Sequence, residues 1–197
     1  RSVIAKRLKP LPIESIVRNY LIGSGYSEYL SSGSICNIEL PKNLKMASKL
    51  PELLFTPSSK AEIGSHDVNI SFEKMSEVVG QDMSEKIKEI SFKIFKKASD
   101  YLITKNIILA DTKFEFGLCD NGNLVLMDEV LTSDSSRFWI SESYQEGVSP
   151  ESLDKQFIRD YVKSISWDDS MPPPELPDDI VCKTFEKYKD LNRILTD

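Results

Sequence analysis

The sequence is short of histidine, cysteine and glycine, and each shortage closes off a class of chemistry. Its 197 residues hold one histidine, His66, which rules out a site built on several imidazoles. The three cysteines, Cys36, Cys119 and Cys182, lie far apart. That spacing excludes a zinc knuckle, and an odd, scattered set points to reduced thiols and a cytoplasmic setting. The eight glycines form neither GxGxxG nor GxxxxGK(S/T), so the glycine-rich phosphate loops of dinucleotide-binding and P-loop folds are absent. No Ser/His/Asp or Cys/His nucleophile arrangement stands out. No apolar run reaches the roughly 20 residues of a membrane-spanning helix, and the opening RSVIAKRLKP has no signal-peptide core. Positive charge is in deficit, with 25 Lys and Arg against 31 Asp and Glu and a net charge of −6. A general nucleic-acid surface is therefore not expected, although a local basic pocket for one small anion is compatible with that total.

What remains is an ordinary folded composition, 40% hydrophobic and 28% charged, long enough for one large domain or two small ones. The most informative stretch is Leu109 to Val130, LADTKFEFGLCDNGNLVLMDEV. Two β-prone runs flank Asp120-Asn121-Gly122-Asn123, and Asn-Gly in that setting predicts a two-residue type I′ hairpin turn. Such a turn pairs Asp120 with Asn123 and sets Glu115 directly opposite Asp128. Side chains alternate along a strand, so Asp111, Lys113, Glu115 and Asp128 share one face. Phe114, Phe116 and Glu129 take the other. Like charges directly opposite cost roughly 0.2–1 kcal/mol in a sheet, so a cation is expected between the two carboxylates. Mg2+ suits that place, taking one or two carboxylates plus phosphate oxygens and waters. The face is expected to be a metal–phosphate site, and the plainer alternative is a solvated face of a half-buried sheet.

Elsewhere the chain reads as follows. Residues 1–10 are basic and look like the end of a preceding unit. Residues 11–24, LPIESIVRNYLIGS, predict a strand and a Gly-Ser turn, then a short helical turn to Gly33 and a strand over 35–40. Residues 41–81 are punctuated by Pro41, Pro51 and Pro57 and show little periodicity. The polar loop around His66-Asp67 is expected to be ordered and to line a cleft. A helix is predicted over 82–105, capped by Asp82 or Ser84, with Ile87, Ile90, Ile94, Phe95, Ala98, Tyr101 and Leu102 as its buried stripe. Another is predicted from Ser149-Pro150, with Leu153, Phe157, Tyr161 and Ile165 inward and Lys155, Arg159 and Lys163 on the polar side. Residues 166–179 are too proline-rich for regular structure. A last helix spans about 179–195, with Val181, Phe185, Tyr188 and Leu191 inward.

Arg18 and Ser24 flank a tight glycine turn, where an arginine fork and a hydroxyl beside free backbone N–H groups can hold a phosphate. Arg137, after Ser135-Ser136, carries the same reading, and both arginines are otherwise surface residues. His66-Asp67 reads as an oriented imidazole, a pair of ligand contacts or an Asx-turn. Together these blocks resemble the phosphoribosylaminoimidazole-succinocarboxamide synthase (SAICAR synthetase) family. LPIESIVRNYLIGS is similar to its first signature through Pro12, Glu14, Arg18, Gly23 and Ser24, with Ile22 where the family has a small residue or threonine. LADTKFEFG is similar to the second through Asp111, Lys113, Glu115 and Gly117. KAEIGSHDVNIS, MDEVLTSDSSRFW, DKQFIRDYV and PPPELPDDIV extend the likeness over nearly the whole chain.

The resemblance implies an α+β fold of ATP-grasp-like, two-lobed architecture. Residues 1–197 would be its central and C-terminal portion, and a β-rich lobe covering ATP would precede Arg1. It implies a ligase that uses ATP to join L-aspartate to carboxyaminoimidazole ribonucleotide, with small-molecule partners and neither nucleic acid nor membrane. Glu115 and Asp128 would hold Mg2+, and Asp111 and Lys113 would face the nucleotide, with Lys113 near the reacting carboxylate. Arg18, Ser24 and Arg137 would bind the ribonucleotide, the two arginines converging on one anion. His66, Asp67, Lys155 and Arg159 would make further substrate contacts. One of the two metal carboxylates is expected to have a raised pKa, and this chain alone is expected to be inactive. The alternatives are an inositol-phosphate-kinase-like phosphotransferase, whose fold also carries a DxK strand, and a fragment that binds ribonucleotide without turnover. The Arg18/Ser24 and His66-Asp67 blocks argue against the kinase.

Overall fold

The β-branched run of LPIESIVRNY and the alternating run of IILADTKFEFGL become the two long strands that carry the molecule. A computed structural model describes residues 4–60, 67–167 and 172–196. In chain order its elements are β1 (Lys9–Tyr20), α1 (Gly23–Ser32), β2 (Ser34–Ile35), β3 (Ile38–Glu39), β4 (Lys49–Phe55), β5 (Ser58–Ser59) and β6 (Val68–Asn69). There follow α2 (Phe72–Val79), α3 (Gln81–Ile103), β7 (Ile107–Leu118), β8 (Leu124–Met127), β9 (Ser136–Ile140), α4 (Gln156–Ser164) and α5 (Asp178–Thr196). Among the described residues seven strands form one antiparallel sheet. β1 and β7 pair at its centre. β1 is flanked on its other side by β5 and β4, and β7 by β8 and β9.

One face of the sheet is the core. Ile13 and Val17 of β1 and Phe114 and Phe116 of β7 meet Ile87, Phe95 and Leu102 of α3, all at most 4% exposed. Ile107 and Leu109 join the same core although strict alternation would put them on the face opposite Phe114. A β-bulge between Leu109 and Asp111 inserts the extra residue. It turns Asp111, Lys113 and Glu115 together onto the other face, the re-aiming that bulges perform beside functional sites.

Several sequence expectations are corrected. The type I′ turn does not form at Asn121-Gly122. Gly122 alone is left-handed there, at φ +78°; its N–H donates to Cys119 O at 2.8 Å, and Cys119 N–H donates to Asn123 O. This is a type I turn with a glycine bulge, which needs three loop residues instead of two. The register therefore slips by one, and Glu115 lies opposite Met127, not Asp128. A two-residue turn with both positions left-handed occurs instead at Cys36-Asn37, between β2 and β3, where a single strand was expected.

The described residues of 41–80 hold three strands and a helix. β4 accepts Pro51 because it pairs only with β1 and so lies at an edge. The helix expected from Pro150 begins at Gln156. The segment before it is held extended on β9, with Leu153 N–H donating to Phe138 O at 2.9 Å. Gly80, not Asp82 or Ser84, caps α3; Ile87, Phe95 and Leu102 are buried with Ser84 and Ser91, Ile90, Ile94 and Ala98 pack half-buried against the same core, and Tyr101 is exposed. On α5, Leu191 is buried, but Val181 and Phe185 are 48% and 63% exposed.

Candidate active site

Pairing of β1 with β7 sets three cross-strand pairs on the face away from the core: Glu14 with Glu115, Ile16 with Lys113, and Arg18 with Asp111. β9 adds Arg137 opposite Asp111. The result is a row of alternating charge across three strands. Arg18, only 1% exposed, donates from Nη1 to Asp111 Oδ2 at 3.0 Å, from Nε to Thr56 Oγ1 at 2.9 Å and from Nη2 to Ser24 Oγ at 3.0 Å. Arg137 Nη1 donates to the same Asp111 Oδ2 at 2.6 Å. Burial pushes the Arg18 pKa down, and Asp111 opposes that shift. The two arginines thus meet at an internal carboxylate, on the wall of a cleft of about 290 Å3 that Ser24, Asp67, Lys155 and Arg159 also line.

One carboxylate between two guanidinium groups leaves a positive surplus, and the Arg137 Nε has no hydrogen-bond partner. A second cavity of about 550 Å3 shares Ser24, Arg137 and Arg159 with the first and reaches the start of α1. There Ile22, extended at φ −150°, provides no side-chain cap. A helix start without a side-chain cap is the arrangement that suits an anion. Ile22 instead packs beside Tyr20, Ala47, Ala110 and Trp139, so the turn tolerates a bulky residue at that position. Gly23 has φ +60°, and a Cβ there would meet the Arg137 guanidinium, with Cζ 2.9 Å away.

At the other end of the cleft, the like-charge pair that needs a cation is Glu14–Glu115, and the cation is internal. Lys113 Nζ donates to Glu14 Oε1 at 2.9 Å and to Glu115 Oε1 at 2.8 Å. Lys60 holds the other Glu115 oxygen, and Ser58 Oγ donates to Glu14 Oε2 at 3.3 Å. Asp128 arrives from beyond the end of β8, through a left-handed turn at φ +62°, with Oδ2 4.0 Å from Lys113 Nζ. Burial tends to raise the Glu115 pKa, but hydrogen bonds from Lys113 and Lys60 outweigh it and hold the carboxyl below its usual range. The expected raised carboxylate pKa is therefore not found at Glu115. Burial likewise works against the Lys113 ammonium, while its bonds to Glu115 and Glu14 raise its pKa overall.

The donors at this end are all oxygens, as Mg2+ requires. Among the described residues, however, no group of three or more His, Cys, Asp or Glu is placed to hold a metal ion. Both Glu115 oxygens are engaged by lysines, and Asp128, 44% exposed at its side chain, is the more open ligand. Two carboxylates are the number that Mg2+ takes when phosphate oxygens and waters complete its shell.

His66 lies outside the described residues. Glu14 and the hydroxyl loop of Asp134, Ser135 and Ser136, which also line the cleft, were not picked out as site residues from sequence. The register of β1 against β7 is what brings Glu14 in, and its opposition to Glu115 follows only once that register is known. Asp154 was missed as well. Buried at 1% exposure, it accepts from Gln156 N–H at 2.7 Å and from Phe138 N–H at 3.3 Å, so it sets the start of the helix that carries Arg159. Burial raises its pKa.

A family model described as SAICAR synthetase matches residues 1–174. The chain is 52% identical to the phosphoribosylaminoimidazole-succinocarboxamide synthase of Histophilus somni, over all of this chain and 68% of that one. The enzyme of the same name from Haemophilus influenzae strain PittEE gives the same values. Among solved structures, a SAICAR synthase from Saccharomyces cerevisiae complexed with SAICAR superposes with a TM-score of 0.83 at 41% identity, covering 96% of this chain and 62% of that one. A SAICAR synthetase in complex with ADP gives 0.68 at 30% identity, covering 96% and 65%. The chain thus spans about two thirds of the length of these relatives. None of the four is an inositol-phosphate kinase, and that alternative gains no support from them.

Proposed function

Because the chain belongs to the SAICAR synthetase family, we propose that it forms the ribonucleotide-binding part of a ligase joining L-aspartate to the carboxylate of carboxyaminoimidazole ribonucleotide, with ATP converted to ADP and phosphate. The observation that carries the reading is the Arg18–Asp111–Arg137 row beside the uncapped start of α1. Its surplus positive charge, the Ser24 hydroxyl and the helix start suit a phosphate monoester. Arg18 is fixed on three sides and acts mainly to hold Asp111 and Ser24. Arg137, whose side chain is 17% exposed, and Arg159 are the groups left to bind the ligand.

In such a ligase the substrate carboxylate takes the γ-phosphoryl group of ATP. The amine of aspartate then attacks that carbon, phosphate leaves, and the nitrogen loses its proton. Phosphoryl transfer depends on positioning and charge neutralisation more than on covalent help. Lys113 supplies a fixed ammonium in the middle of the cleft, aimed by Glu14 and Glu115. Mg2+, when bound, supplies further neutralisation of phosphate oxygens, and Glu115 and Asp128 are the residues that would hold it. Asp67, which lines the cleft, would meet the second substrate's charges, and His66 is proposed for the same role, with Lys155 as a further contact. A cytoplasmic setting agrees with the free cysteines and with the lack, among the described residues, of any helix long and apolar enough to cross a membrane. Calorimetric titration of the chain with SAICAR tests the assignment. Binding that weakens at least about tenfold in Arg137→Gln, the scale of a hydrogen bond to a charged group, is expected. No binding by the unmodified chain defeats it.

A further inference from the structure

The cations of the cleft have a carboxylate for a neighbour that, among the described residues, forms no ion pair with them. Asp134 lines the cleft with Arg137, Lys155 and Arg159, yet the ion pair of Arg137 is made with Asp111. Asp134 is held from the opposite side: Tyr188 Oη donates to its Oδ1 at 3.0 Å. Tyr188 belongs to α5, which lies beyond the residues that the family model matches. That helix is anchored independently of the cleft. Leu191 enters the core at 4% exposure, Lys187 pairs with Glu151, and Tyr101 Oη donates to Leu195 O at 2.9 Å.

Between α5 and the loop of Leu131 to Asp134 lies a hollow of about 320 Å3, so the loop is not fixed by close packing on that side. Exposed Asp134 stands on this loop within the field of Arg159. A carboxylate free to turn toward a guanidinium group forms a strong, charge-assisted pair. Being tethered, it also competes with a dissolved anion at high effective concentration. Burial and the Asp134 acceptor push the Tyr188 phenol up to about 12, so it stays a donor throughout the neutral range.

We propose that Tyr188 is a positioning residue that holds Asp134 away from Arg137 and Arg159, keeping those guanidinium groups available to the phosphate-bearing substrate. This inference rests on the cleft being the anion site. Its test compares the full chain with Tyr188→Phe, which keeps the ring and its packing, and with the double variant Tyr188→Phe/Asp134→Asn, each titrated with SAICAR. Affinity falls roughly threefold to tenfold in Tyr188→Phe, the factor carried by one net hydrogen bond, and returns to the starting value or better in the double variant. An unchanged Tyr188→Phe, or a double variant as weak as the single one, overturns the proposal; the second result would make Tyr188 a plain structural prop.

A crystal structure of ligand-free Tyr188→Phe reads the collapse directly. Asp134 is expected at salt-bridge distance from Arg137 or Arg159, and finding it still turned toward α5 overturns the proposal. If the unmodified chain fails to bind SAICAR, the ribonucleotide reading falls, while the crystal structure still decides whether Tyr188 restrains Asp134. If it binds, loses affinity in Arg137→Gln and is indifferent to Tyr188→Phe, only the role of Tyr188 falls.

Discussion

Asp111 sits where two guanidinium groups converge, at 4% exposure, and its loss would leave Arg18 and Arg137 facing each other with no charge between them. Breaking a buried pair from one side costs about 3–5 kcal/mol. Asp111→Asn is expected to lower urea-measured stability on that scale, far more than Asp128→Asn at its exposed position. Gly23 is constrained twice, by φ +60° and by the guanidinium that a Cβ would meet. Gly23→Ala should therefore displace Arg137 and weaken SAICAR binding, with a further stability loss of about 1–2 kcal/mol from the left-handed backbone; calorimetry and a thermal melt read the two effects separately. Glu115 gives a pH dependence. Its pKa is lower in the folded chain than the ordinary 4.5, so the unfolded chain takes up the proton first. The stabilisation is present above about that ordinary value and is lost as pH falls through the lowered one. Glu115→Gln should flatten the acid side of a stability–pH profile, and an unaltered profile would show that the lysine pairs contribute nothing.

The strands and helices differ in how much of them the sequence discloses. β7 and α3 follow from periodicity, and the resemblance to known signatures marks Arg18, Ser24, Lys113 and Arg137, all of which line one cleft. Loop length is what periodicity does not carry. The Asn121 side chain accepts from Asn123 N–H, a local alternative to the two-residue turn, and that one-residue difference moves Met127 opposite Glu115. The start of α4 was also hidden, because the cap that matters is buried Asp154 and the bonds that hold Leu153 straight come from β9. The exposed apolar residues of α5 show the same limit: a helical stripe announces a face, while its depth of burial depends on a neighbour. At the hairpin, Gly122→Ala forces a side chain into φ +78° and should cost about 1–2 kcal/mol in a denaturant melt. A loss near zero would mean that the turn rebuilds readily in another form.

As a whole the molecule divides its sheet between two tasks, with one face packed on α3 and the other lined with paired charges. Ligand that binds the charged face of the folded chain alone stabilises the entire fold by mass action. SAICAR at about a hundred times its dissociation constant should add about 2.7 kcal/mol, visible as a raised melting temperature that Arg137→Gln abolishes. Both tasks fall on β7, whose bulge sets Phe114 against the core and Asp111 against the arginines within a few residues. A chain that paired this strand one residue out would spoil its hydrophobic packing and scatter its charged cluster in the same event. A copy paired out of register should therefore lose the ligand together with its core, and the fraction of molecules able to bind SAICAR is expected to match the fraction correctly folded.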